Sequence, residues 1–373
     1  MHAYALISGD QVSNRRRRDA ASSLALLILS LVISFSLAEL LVRTFAAQAF
    51  HPGRRLFLSN AQFDVTGNGA VRYFPSERIR MVAVYEGAVE FDVTFVTNNL
   101  GFIDTEDYPL DRTQEGKAYV LIGNSFVAGI HGGQPWVPNL RAMANQSGNS
   151  RAIYNLGVEG TGFWHFSKLL DDVQDELPFD VVVIVGLSDD FRRPYWTPIV
   201  EDSSVYMCLS DESREECAGR EPYASLFDES MKQGDILDIA KQTTGTTVLL
   251  NDPGRFLEVQ AKRSLFLVML VRGIRAALGS RNSLGFDGFR DLVDRQRGRD
   301  IYLLHVPQKH EVTNNRYDVD PMGEASALGV TYVPLLDACE WDEEMFYERD
   351  SHPNERGYRN LGLCVGTVLS LLP

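Results

Sequence analysis

The chain has 373 residues, 45% of them hydrophobic, with a formal net charge of -14 at pH 7. That composition excludes a disordered or fibrous chain and suffices for one large domain with a smaller appendage. The acidic balance, with a pI near 5.0, argues against a nucleic-acid partner, because phosphate binding needs Lys and Arg gathered on one face.

The one dense basic run is NRRRRD at 14–19, directly before AASSLALLILSLVISFSLAELLV at 20–42, which is uncharged until Glu39. About 20 such residues in a helix span the roughly 30 Å hydrocarbon core of a bilayer. Residues 1–19 are therefore expected to be cytoplasmic and 20–42 to form an uncleaved transmembrane signal anchor. The positive-inside rule then sends everything after about residue 45 to the periplasmic or extracellular side. A cleaved signal peptide is the rival reading, with an apolar region of about 7–15 residues; the small residues of TFAAQAF at 44–50 keep it open.

Residues 43–114 contain alternating stretches, AVRYF, RMVAVYE and EFDVTFVTN, and are expected to form a small membrane-proximal β-rich region. From 115 to 373 the pattern changes. Apolar runs recur at AYVLIG (118–123), AIYNLG (152–157), DVVVIVG (180–186), DIYLLHVP (300–307) and GVTYVPL (329–335), with helical patterns at 135–146 and 164–177. Strands apolar throughout that alternate with helices predict a parallel sheet covered on both faces. The interval at about 195–298 is too long for one crossover and is expected to be an insertion, with helices around 228–242 and 262–278. KRSLFLVMLVRGIRAAL, at 262–278, has too short an apolar run for a second span and is expected to be a buried helix.

An exported chain gives its four cysteines a meaning. Cys208 and Cys217 bracket an acidic loop, and Cys339 and Cys364 flank the last motif. Four cysteines allow three pairings; 208 with 217 and 339 with 364 is the favoured one. None of the spacings resembles a zinc cluster, and no cofactor is expected.

Four polar blocks stand where predicted strands end. GNSF carries Ser125, and that serine is either an N-cap or a nucleophile at the carboxyl edge of the sheet. NLGVEGTG carries Asn155, Gly157, Gly160 and Gly162. VGLSDDF carries Ser188, Asp189 and Asp190. ERDSHPNERGY carries Asp350 and His352, with Pro353 expected to start a helix. His131 reads as a turn residue beside two glycines, with lining of a substrate cleft near Ser125 as the alternative, and His305 as a core histidine. His310 is a candidate for the rim of a site. Trp136, Trp164, Tyr195 and Trp196 read as core aromatics that could otherwise stack on sugar rings.

The order of the four blocks along one α/β chain resembles the SGNH, or GDSL-type, hydrolase superfamily. TNNLGFIDTEDYP at 97–109 resembles the segment before the serine block in membrane-anchored bacterial members. The resemblance implies a three-layer α/β/α, flavodoxin-like parallel sheet. It makes Ser125 the nucleophile, His352 the general base and Asp350 its orienting acid. Gly160, five residues after Asn155, becomes an oxyanion donor, with Ser188, Asn155 and Asp189 as further oxyanion or binding candidates. The chain departs from the family pattern in three places. Asn124 replaces the usual Asp before the serine, Ser188 stands where the third block has its oxyanion Asn, and Asp350 is two rather than three residues before His352.

The implied reaction is acyl transfer by an activated serine. The expectation is an exported, membrane-anchored esterase acting on an acylated small molecule or glycan, with O-acetyl groups on an envelope or secreted polysaccharide as the leading substrate. An O-acetyltransferase using the same residues, and a non-catalytic glycan-binding or assembly subunit, stand beside it.

Overall fold

The computed structural model of the chain describes residues 9–45, 56–85, 88–110, 116–133, 135–148, 151–193, 196–201, 204–209, 224–225, 232, 234–238, 264, 266–267, 270 and 283–372. It divides into two compact units, residues 1–52 with 252–278, and residues 53–251 with 279–373.

The first unit is built on α1 (Gly9–Phe45), a single helix of 37 residues. Its Ser22–Leu41 stretch has a mean hydropathy of 2.5 and none of it is buried. Such a helix has the length and composition to cross a membrane, as an anchor or as a signal sequence. Its one acidic group there, Glu39, accepts from the Ser264 hydroxyl at 2.8 Å and from the Phe266 amide at 3.0 Å. Phe35 lies edge-on to Phe266. Most of the helix expected at 262–278, like that at 228–242, lies outside the described residues.

In the second unit, β1 (Leu56–Ser59), β2 (Phe63–Val65), β3 (Val71–Tyr73), β4 (Arg78–Tyr85) and β5 (Ala88–Val96) come first. The chain continues through β6 (Tyr119–Gly123), α2 (Ser125–Ala128), α3 (Trp136–Gln146), β7 (Ile153–Gly157), α4 (Phe163–Val173) and β8 (Val181–Gly186). The insertion contributes β9 (Trp196–Glu201), β10 (Ser204–Leu209) and β11 (Ala224–Ser225). The last part holds α5 (Ser283–Arg295), β12 (Asp300–His305), α6 (Lys309–Asn314), α7 (Met322–Ala327), β13 (Thr331–Pro334), α8 (Leu335–Ala338) and α9 (Glu355–Val368).

The five strands read as continuous apolar runs form one parallel sheet, in the order β13-β12-β8-β6-β7. Numbered within the sheet this is 2-1-3-4-5, the flavodoxin-like order, whose direction of winding reverses beside the first strand. Both faces of the central strands β6 and β8 are apolar because both are covered. Tyr119, Leu121, Val181, Val183 and Val185 pack with Trp136 and Leu140 of α3 and Leu361 and Val365 of α9. Their alternating neighbours Val120, Ile122, Val182 and Ile184 pack with Phe166 and Leu170 of α4 and Phe289 and Leu292 of α5. The fold is thus a three-layer α/β/α sandwich.

A second, mostly antiparallel sheet has the order β5-β4-β1-β11-β10-β9. The β-rich region within 43–114 and the segment after β8 share it, a pairing the sequence patterns do not reveal because the segments are far apart and their strands short. Among the cysteines, Cys339 and Cys364 form a disulfide that ties the end of α8 to α9. Cys217, and with it the 208–217 pairing, lies outside the described residues.

Candidate active site

Strand β6 stops at Gly123, where a Cβ would lie 2.7 Å from the Val185 carbonyl and closer still to the Val127 side chain. The next residue, Asn124, is extended (φ -84°) and its side chain accepts from the Phe126 amide at 2.9 Å. Asn124 is therefore the N-cap and Ser125 the first residue of α2. The N-cap reading of Ser125 is corrected: its hydroxyl sits 2.7 Å from Nε2 of His352. Gly129, with φ 71°, ends the helix after four residues. The Trp136 indole donates to Phe126 O and the Tyr358 hydroxyl to Ser125 O, which fixes the turn from below.

His352 lies on the loop before α9. That helix is capped by Asn354, whose side chain accepts from the Arg356 and Gly357 amides, so Pro353 precedes the cap instead of starting the helix. Asp350 Oδ1 accepts from the His352 amide at 2.9 Å and pairs with the ring Nδ1. A proton held on Nδ1 by the carboxylate leaves Nε2 as the acceptor that faces Ser125. Burial alone would raise the Asp350 carboxyl, but the charge and hydrogen bonds of His352, with His131 adding, hold it well below the usual range. The other oxygen, Oδ2, accepts from the Tyr85 hydroxyl at 2.8 Å.

His131 is buried in the short 3-10 turn after α2. Its ring stacks on His352 with centroids 3.7 Å apart and planes 15° off parallel, and Phe91 of β5 meets it edge-on.

The turn after β7 crosses directly over α2. A Cβ on Gly157 would lie 2.1 Å from the Ala128 amide nitrogen, and the Val158 amide donates to Gly123 O. Gly160 occupies this turn with φ 72°, open to glycine at little cost. Asn155 is a fastener of the strand. Its Oδ1 accepts from the Gly157 amide, its Nδ2 donates to Ile103 O, and its amide donates to the Tyr108 hydroxyl. Tyr108 in turn donates to Asp104 at 2.6 Å, and Asp104 pairs with buried Arg141.

The third block divides. The Ser188 hydroxyl pairs with His305 Nε2 at 3.1 Å and accepts from the Val319 amide, so its bonds go to β12 and the loop between α6 and α7 and not to the Ser125 group. Asp189 accepts from Gln308. Asp190, fully buried, accepts both contacts of the Asn124 amide at 2.9 Å and the Leu187 amide at 2.9 Å. Burial pushes its carboxyl up from 3.8 to about 6, against the pull of Arg193, the Leu187 amide and Asn124. It therefore holds the cap of α2, the helix that Ser125 begins.

The remaining candidates fall outside this group. Trp136 and His305 are core residues, and burial lowers the His305 imidazole to about 3. His310 is exposed and pairs with Asp318. With Glu311 these form the three-residue group whose ligand atoms come closest to a cation site among the described residues. Glu311, however, is already committed to the Gln308 and Asp318 amides. Tyr195 lies outside the described residues.

Sequence reasoning missed Tyr85, Asn124 as the cap, Asp190 as its support and the stacking of His131 on His352. Tyr85 carries no signal in the sequence, being one apolar strand residue 265 positions from its partner. The Asp-Asp pair that follows the most apolar strand is the trace of that support in the sequence.

No family model matches the chain, and no curated protein matches it. Among solved structures it is similar to the lipase Lip_vut3 from a goat rumen metagenome, at 13% identity over 68% of this chain and 97% of that one, with a TM-score of 0.29. A protein described as a GDSL-like lipase, from Bacteroides ovatus ATCC 8483, is 12% identical over 84% and 83%, with a TM-score of 0.23. Likenesses this remote say nothing about chemistry, which rests on the geometry above.

Proposed function

We propose that the chain is a serine ester hydrolase of SGNH type, with Ser125 as nucleophile, His352 as general base and Asp350 as its orienting acid. The observation that carries the reading is the contact of 2.7 Å between Ser125 Oγ and His352 Nε2, with Asp350 on the opposite ring nitrogen. A serine hydroxyl is inert near neutral pH until a base removes its proton, and an imidazole oriented in this way does so.

In the proposed cycle Ser125 Oγ bonds to the acyl carbon as its proton passes to His352 Nε2. The tetrahedral oxyanion is held by the Ser125 amide, which as the first of α2 has no intrahelical acceptor, together with the Gly160 amide. His352 then protonates the leaving alkoxide, and the ester C–O bond breaks. Water, deprotonated by the same imidazole, releases the acid from the acyl-enzyme.

The proposed setting is outside the cytoplasm, on a membrane anchor formed by α1. The basic run before the apolar helix supports it, and an O-acetylated glycan is the proposed substrate. Transfer of the acyl group to a sugar hydroxyl would use the same acyl-enzyme; acetate release with and without a glycan acceptor separates the two. The test of the site is labelling of the full-length protein by a fluorophosphonate. Labelling lost in Ser125→Ala and His352→Ala supports the reading, and a folded wild type that takes no label refutes it.

A further inference from the structure

Asp350 is gripped on both oxygens, and only one grip comes from its own loop. Oδ1 is held by the amide and ring of His352. Oδ2 is held by the hydroxyl of Tyr85, the last residue of β4, in a site where Tyr85 is 4% and Asp350 7% exposed. The same β4–β5 ribbon clamps the residue before the acid. The Arg349 amide donates to the Glu90 carboxylate at 2.9 Å, and its guanidinium donates to Tyr85 O. Phe91, one residue further along β5, packs against both His131 and Tyr347.

We infer that Tyr85 is a positioning residue for the acid–base pair, supplied to the parallel-sheet domain by the membrane-proximal antiparallel sheet. The inference rests on the proposed roles of Ser125, His352 and Asp350. A buried phenol needs some partner for its hydroxyl, but the partner here is the carboxylate that orients the base. The only atom a phenylalanine would lack is the one touching it. A donor on an ionised carboxylate makes a stronger bond than a neutral pair. It disperses charge from Oδ2 and prevents the carboxylate from rotating out of the imidazole plane.

Removing that donor has a signed consequence. Oδ1 stays bound to His352, so the carboxylate keeps its contact with the ring while losing the restraint on its plane, and with its charge less dispersed it favours the imidazolium more. The neutral base is then reached only at higher pH. The other charged or titratable groups facing the pair are His131 from the 3-10 turn, Glu90 and Arg349 at the ribbon, Tyr347 in the loop and Tyr358 from α9. None of them is altered by Tyr85→Phe.

The experiment follows p-nitrophenyl acetate hydrolysis by the full-length protein in detergent, for wild type, S125A, Y85F, D350N and Y85F/D350N, between about pH 5 and 9. Y85F is expected to lose about ten-fold in kcat with KM within about two-fold, and to move the acid limb of kcat/KM upward by about half a pH unit. In the D350N background the same substitution should cost less than about two-fold, because the contact it removes is already altered. An unchanged kcat and limb in folded Y85F overturns the role, as does a full ten-fold loss in the D350N background, which marks general destabilisation. Turnover that survives S125A refutes the underlying site instead, and the positioning role with it.

Discussion

Asp190 allows a prediction in which sign, size and location all follow from the structure. Its carboxyl is fully buried under the turn that carries Ser125 and pushed from 3.8 to about 6. Below about pH 4 it is protonated in the folded and unfolded chain alike and contributes no pH dependence. Between about pH 4 and 6 the folded state keeps the proton that the unfolded state has lost, so this group makes stability fall as pH rises. Above about pH 6 the folded protein holds a buried carboxylate, and at 1.36 kcal/mol per pH unit the accumulated penalty is about 3 kcal/mol. Asp350 works in the opposite sense. Its carboxyl is held below its ordinary value, so its contribution is present above about pH 4 and is lost only in stronger acid.

Asp190→Asn separates the two. An amide oxygen in the Oδ2 position still accepts from Asn124 Nδ2 and the Leu187 amide, but its NH2 in the Oδ1 position faces Asn124 Nδ2 and the Arg193 guanidinium as a donor, which costs a fixed 1–3 kcal/mol or so at every pH. What changes with pH is the gap between wild type and variant. Denaturant unfolding of both full-length proteins, at intervals between about pH 4 and 7, should show the wild type's advantage shrinking by about 3 kcal/mol across the window. Parallel curves, with a gap constant to about 0.5 kcal/mol, would refute the raised carboxyl and the reading of Asp190 as a buried charge beneath the cap.

Arg141→Met leaves the Asp104 carboxylate, whose side chain is 0% exposed, with only the Tyr108 hydroxyl and the Glu106 amide. It should cost about 3–5 kcal/mol in urea unfolding, most of it recovered when Asp104→Leu is added. Gly157→Ala places a Cβ 2.1 Å from the Ala128 nitrogen, on backbone that cannot yield. A stability loss of about 3 kcal/mol or more should accompany loss of fluorophosphonate labelling as α2 is displaced. Ser188→Ala removes a buried bond to His305; it should lower stability by about 1–2 kcal/mol yet keep p-nitrophenyl acetate turnover within about three-fold. An oxyanion donor at that position would instead cost about 10²–10³ in kcat. Breaking Cys339–Cys364 with Cys339→Ala/Cys364→Ala, across a separation of 25 residues, should cost about 3 kcal/mol by thermal unfolding.

The parallel sheet was legible because burial on both faces leaves an unambiguous trace. VVVIVG at 181–186 sends alternate side chains into the two cores, and such a run has no use on a one-sided sheet. The meeting of Ser125 and His352 was legible because small and polar residues interrupt the apolar runs at strand ends and loop-helix junctions, which gather at one edge of a parallel sheet. Ser188 misled for a physical reason: a hydroxyl after a strand suits a buried histidine as well as an oxyanion, and only the position of His305 on β12 distinguishes them. The sheet shared by residues 56–96 and the insertion was not legible, since β11 has two residues and pairs with β1 at a single register, Leu58 with Ser225.

The pieces of the candidate site have different supports, and their alignment depends on how those supports meet. Ser125 is carried by the parallel sheet, through β6, Asn124 and Asp190. His352 and Asp350 are carried by the loop from Tyr347 to Asn354, which no strand of that sheet contains. One end of this loop is fastened by the cap of α9, whose Tyr358 reaches back to Ser125 O. The other is fastened by the β4–β5 ribbon, through Glu90 and Tyr85. A proton transfer across 2.7 Å tolerates little relative movement of donor and acceptor. Loosening the ribbon should therefore separate base from nucleophile while leaving the parallel sheet folded. Glu90→Ala, which frees the Arg349 amide without touching Asp350, tests this: kcat should fall several-fold with the unfolding midpoint of the sheet unchanged, and full activity would show that the Glu90 tie is dispensable and that Tyr85 and α9 suffice to fix the base.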